Sequence, residues 1–99
     1  MYDKILREMR KAVKAGRVRF TSHAFDELDN EDLTTDDVER CILTGEIVSD
    51  QYDPYRRHMK YVIYGDTMVG DEMGLVARWD DQDDVVVITT FRLKIDDYE

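Results

Sequence analysis

The chain changes its hydrophobic period once, and the change divides it into a helical half and a strand half. Up to about residue 45 the apolar positions recur at spacings of three and four, and from Glu46 onward they form strand-like runs. Ile5, Leu6, Met9, Ala12 and Val13 fall on one face of a helix from about Tyr2 to Ala15, with Gly16 as its stop. Arg7, Lys11 and Lys14 occupy its opposite face. Val18-Arg19-Phe20-Thr21 then alternates as a short strand does. Thr21 or Ser22 supplies a hydroxyl to cap a short second helix, HAFDELDN, whose Ala24, Phe25 and Leu28 share one side. A third helix starts at Leu33-Thr34-Thr35-Asp36-Asp37-Val38, which offers a staple residue, a hydroxyl cap and acids for the first turn. Val38, Cys41 and Ile42 line its buried face, and Gly45 ends it.

Four strands follow. Ile47 to about Tyr52 leads to a turn at Asp53-Pro54, and Met59 to Tyr64 is closed by Gly65-Asp66. Gly74 to Trp79 runs into the polar tip Asp80 to Asp84, and Val85 to Leu93 completes the set. The run Val85-Val86-Val87-Ile88 is apolar on both of its faces, which places that strand centrally or under cover on both sides. Short connections favour an antiparallel meander, so the expectation is an α+β domain with N-terminal helices packed on a four- or five-stranded antiparallel sheet.

Ninety-nine residues make a single domain, 1–99, with room for one modest core. No apolar run reaches the ~18 residues a membrane span needs, and the N-terminus alternates charge with apolar residues, unlike a secretory signal. Cys41 is the one cysteine, which excludes an internal disulfide and reads as a core residue. These features lead to the expectation of a cytoplasmic protein with no membrane contact. The net charge of −9 is unevenly spread. Residues 1–20 carry seven basic and two acidic side chains, a balance of +5, and the other 79 carry seven and 21, a balance of −14. Such segregation marks either a solvated helix face or a patch for nucleic acid or an acidic partner.

Candidate chemistry is sparse. His23 stands at the N-terminus of the second helix, where the helix dipole favours a neutral imidazole able to accept a proton. The plainer reading is that it bonds a neighbouring backbone group and packs against the sheet. Tyr55-Arg56-Arg57-His58, with Lys60 nearby, interleaves an aromatic with cations, as a turn does and as a loop that holds a phosphate under a stacked base does. His23, His58 and Cys41 lack zinc-ligand spacing, and the seven acids from Asp26 to Asp37 lack the spacing of a calcium loop, so neither metal nor cofactor is expected.

The pieces Phe20-Thr21-Ser22-His23-Ala24, Leu33 to Val38, Gly45-Glu46-Ile47-Val48 and Val87-Ile88-Thr89-Thr90-Phe91, in that order, resemble the domain of unknown function 4258. That family is related to the RelE and BrnT toxins of bacterial toxin–antitoxin pairs. The match runs from about Arg17 to Leu93, preceded by the basic helix 2–15. The resemblance implies a RelE-like fold and metal-independent RNA cleavage, in which a 2′-hydroxyl attacks the adjacent phosphate. By motif position His23 is the implied base or acid. Lys60, Arg78 and Arg92, one on each of three strands, are the implied cations if alternation brings them to one face. The family's pattern places arginine, arginine and glycine where this chain has Glu27, Glu31 and Asp32.

Two expectations follow. One is a RelE/BrnT-like ribonuclease toxin acting on RNA, with catalytic His23, Lys60, Arg78 and Arg92, substrate contacts from Tyr55, Arg56, Arg57 and His58, and an antitoxin as partner. The other is a non-catalytic module that keeps the toxin-like fold and binds a basic protein through its acidic helices. A homodimer through the first helix or an open sheet edge is compatible with either.

Overall fold

A computed structural model describes residues 1–93 of the chain. Three helices and five strands follow one another as α1 (Asp3–Lys14), β1 (Val18–Phe20), α2 (Ser22–Asn30), α3 (Thr35–Thr44), β2 (Glu46–Asp53), β3 (His58–Asp66), β4 (Glu72–Trp79) and β5 (Val85–Arg92). The sheet order is β1-β5-β4-β3-β2. β2 to β5 form the expected antiparallel meander, but β1 joins the outer side of β5 in parallel, so the sheet is mixed. The parallel pairing follows from chain direction. β1 must deliver the chain to α2, which lies farther along the same edge of β5, and Thr21 marks the junction by donating its amide to Val87 O at 3.1 Å.

The helix signals in the sequence are used as expected. The Thr21 hydroxyl accepts the Ala24 amide at 3.0 Å and caps α2. Thr34 and Asp37 form a reciprocal capping box on α3. Gly16 takes the left-handed φ of 76° that ends α1. Gly45 acts differently: its backbone is extended, and a Cβ there would lie 2.1 Å from Tyr64 O. A Cβ on Gly65 would lie 2.3 Å from Cys41 O, so this glycine pair lets the end of α3 rest directly on β3. Arg10 of α1 then donates to Ile42 O at 3.0 Å and Gly45 O at 2.7 Å. It satisfies carbonyls that α3 leaves open at its C-terminus.

One face of the sheet carries the core. Tyr61, Ile63, Leu75, Ala77, Val85 and Val87 meet Met9, Ala12 and Val13 of α1, Ala24 and Leu28 of α2, and Val38, Cys41 and Ile42 of α3. Val86 is 3% exposed yet lies outside that cluster, on the far face, which bears out the reading of β5 as buried on both sides. Cys41 is fully buried, and burial pushes its thiol up to about 12, so it behaves as a core residue and not as a nucleophile.

Two bulges set which side chains face which way. Val48 is the extra residue in β2, and Ile88 the extra residue in β5, where Ala77 pairs with Val87 but Val76 pairs with Thr89. Beyond Ile88 the parity of β5 is reversed. Thr90 and Arg92 turn to the helix side, and Thr89 and Phe91 to the far side.

Candidate functional site

The far face collects part of the candidate set. Tyr61 pairs with Ala77, and these two point into the core. Lys60 and Arg78 are the next residues along from that pair, so alternation turns both to the far side, on neighbouring strands. The row extends on each flank, since Lys60 pairs with Gln51, Arg78 with Val86, and Val86 with Arg19 of β1. Arg19 was not a sequence candidate, although its place between Val18 and Phe20 already put it on the polar side of its strand. His58, two residues before Lys60, shares the far face and is half-buried, with Nδ1 enclosed and without a hydrogen-bond partner.

Aromatic groups occupy the other end of this face. Tyr64 and Phe91 meet edge to face with centroids 6.3 Å apart. They close over Gly74, where a Cβ would lie 2.5 Å from the Phe91 ring, so the glycine makes room for the pair. Tyr64 keeps 41% of its surface exposed. The far face is thus aromatic at one end and cationic at the other.

The cations are moderated by acids. Asp53, at the end of β2, lies 3.6 Å from both Lys60 Nζ and Arg56 Nη1. Its Oδ1 accepts the amides of Tyr55 at 3.0 Å and Arg56 at 3.2 Å. The Arg56 amide, the Tyr55 amide and then the Lys60 and Arg56 cations hold the Asp53 carboxyl below the ordinary range. Asp53 therefore shapes the Pro54–Arg57 turn, which Arg57 closes with a left-handed φ of 59°. Tyr55 stands 95% exposed at the tip. Arg19 pairs with Asp80 and, at 3.9 Å, with Asp84, while Arg78 donates to Trp79 O at 3.2 Å.

Arg92 does not join this row. The Ile88 bulge turns it to the helix side, where Nε donates to Glu31 O at 2.8 Å and Nη2 to Asp32 O at 3.1 Å. Asp71 lies 3.4 Å away. Arg92 thus ties the end of α2 to β5, and the expectation of three cations on one face is corrected to Lys60 and Arg78 with Arg19.

His23 sits in the first turn of α2, with a side chain 66% exposed, and its Nε2 lies 3.2 Å from Glu27 Oε2. The other carboxylate oxygen of Glu27 accepts the Thr90 amide at 3.0 Å, and Glu31 Oε1 accepts the Arg92 amide at 3.2 Å. Glu27 on α2 and Glu31 at its C-cap, one turn apart, therefore meet alternate amides of β5, beyond the point where β1 stops pairing. These carboxylates finish a sheet edge. The four-residue spacing on a helix, set beside a strand, was the available signal. Asp32 follows with a left-handed φ of 55°, a conformation that glycine adopts most cheaply.

A cleft of about 840 Å³ between α1 and the β4–β5 turn is lined by Lys4, Glu8, Arg17 and Trp79, among others, and by none of the eight candidates. Among the described residues no cluster of three or more His, Cys, Asp or Glu side chains has the geometry to hold a metal ion. Among the described residues no helix is long and apolar enough to cross a membrane.

Comparison with curated proteins found no match, and comparison with solved structures found none. A family model does match, over residues 20–92, which takes in every element from the end of β1 to the end of β5. The chain therefore belongs to the family described as Domain of unknown function (DUF4258).

Proposed function

We propose that the protein is a metal-independent ribonuclease of the RelE/BrnT toxin kind, and that RNA lies across the far face of the sheet. The observation that carries this reading is the register that sets Lys60 beside Arg78, with Arg19 in line, on the face opposite α1 and α3. Such cations neutralise backbone phosphate, and the partly exposed Tyr64 ring offers a surface on which a base can stack. Cleavage needs a base for the 2′-hydroxyl, positive charge for the phosphoryl oxygens and an acid for the departing 5′-oxygen. Lys60 and Arg78 supply the charge on this reading. His58, on the same face, carries the proton. His23, the residue the family resemblance points to, is the competing carrier.

The test is purified wild type on mixed RNA with chelator present, set against His58→Ala, His23→Ala, Lys60→Ala and Arg78→Ala. The reading expects products with 2′,3′-cyclic phosphate ends, and a loss of about 10²-fold or more with Lys60→Ala, Arg78→Ala and His58→Ala. A comparable loss with His23→Ala and none with His58→Ala would reassign the proton carrier. Intact RNA after incubation with folded wild type would end the nuclease reading. It would leave the non-catalytic module, whose exposed acids Asp26, Asp29 and Asp36 lie on α2 and α3.

A further inference from the structure

The two edges of the sheet are treated differently. On one, β1 covers Val85 to Val87, and the carboxylates of Glu27 and Glu31 take up the amides of Thr90 and Arg92. The other edge is β2, and among the described residues no strand pairs with its outer side. An uncovered edge presents alternate N–H and C=O groups that recruit an added strand. The Val48 bulge interrupts the start of β2, but Ser49 to Asp53 pair with β3 in unbroken register, so a regular stretch remains.

We propose that this edge docks an extended, basic segment of a partner polypeptide, which joins the sheet beside β2. The surroundings fit such an occupant. A groove of about 480 Å³ opens at the start of β2, with Tyr2 and the α1 residue Leu6 on one side and Ile47 on the other. Val48 and Tyr52 expose 46% and 54% of their surfaces along the strand. Apolar side chains of an incoming strand would find contact with Tyr52 on the helix side and with Val48 at the bulge. Charge selects the partner. β2 carries Glu46, Asp50 and Asp53 and no cation, so a second copy of β2 laid antiparallel would set acids against acids. A strand with Lys or Arg on alternate positions meets Glu46 where those positions turn to the far face, and Asp50 where they turn to the helix side. The inference is independent of the RNA reading, because it uses none of the far-face cations.

The experiment compares two synthetic extended peptides, one alternating Val with Lys and Arg, the other with Glu at each basic position. Amide hydrogen exchange of the full protein is followed residue by residue. The basic peptide is expected to slow alternate amides within Ser49 to Asp53 by about tenfold or more, and the acidic peptide to leave them unchanged. The double substitution Glu46→Lys with Asp50→Lys is expected to reverse that preference. Three results would each overturn the proposal. They are unchanged β2 amides with the basic peptide, perturbation confined to α2 and α3, and β2 protection that rises with protein concentration alone.

Discussion

Glu27 accepts the amide of Thr90 at 3.0 Å, so a helix side chain completes the hydrogen bonding of a strand. Glu31 repeats the contact with Arg92 one turn later. A buried or half-buried amide without an acceptor costs about 1–3 kcal/mol. Glu27→Ala and Glu31→Ala are each expected to lose stability in that range, and Glu27→Gln to lose less because it keeps an acceptor oxygen. Urea unfolding measures the difference. Alanine variants as stable as wild type would remove the edge-closing role.

The pair also shows where the sequence was readable. Periodicity located all three helices and the meander, because amphipathic spacing and caps are local properties of the chain. The fate of Arg92 was not local. Strict alternation puts it on the face of Arg78, and the Ile88 bulge reverses it without any Gly or Pro to announce the change. The role of Glu27 and Glu31 is not local either, since their partners stand 63 and 61 residues away on β5. The Lys60–Arg78 row was legible strand by strand, but its membership depended on register.

Asp32 holds a left-handed φ of 55° at the end of α2. Glycine reaches that conformation without strain, and the Arg92 bond at this position uses the backbone carbonyl. Asp32→Gly is therefore expected to be as stable as wild type or better, by up to about 1 kcal/mol, and Asp32→Val to be less stable by about 1–2 kcal/mol. Thermal melts of the three proteins check the order. A large loss with glycine would mean that the Asp32 side chain holds the turn.

Glycine substitutions are expected to separate by mechanism. Gly45→Ala and Gly65→Ala force a methyl against backbone oxygens 2.1 and 2.3 Å away, and each is expected to cost about 3 kcal/mol or more. Gly16→Ala meets open space and is expected to cost about 1 kcal/mol through its positive φ. Equal losses at the three positions, by urea unfolding, would contradict the close approach of α3 to β3.

Acid stability has a defined window at Asp80. The Asp84 amide, then Arg19 and the Gln82 amide, lower its carboxyl from 3.8 to about 2. The unfolded chain binds that proton first as pH falls, so the contribution is complete above about pH 4 and is lost toward pH 2. Asp53 and Asp37 act in the same direction. The amides of Met68 and Thr34 outweigh the burial that alone would raise Asp37. The stability gap between wild type and Asp80→Asn is expected to be widest near neutral pH and to close between pH 4 and 2. A gap that stays constant across that interval would contradict it.

The most direct test of the far face is a titration of isotope-labelled protein with 2′-O-methyl RNA, which binds but cannot be cut. Backbone resonances of Lys60, Tyr64 and Arg78 are expected to shift together, and Lys60→Ala with Arg78→Ala to weaken binding by about tenfold or more. Shifts centred on His23 and α2 with the far face silent, or no shifts at all, would contradict the account.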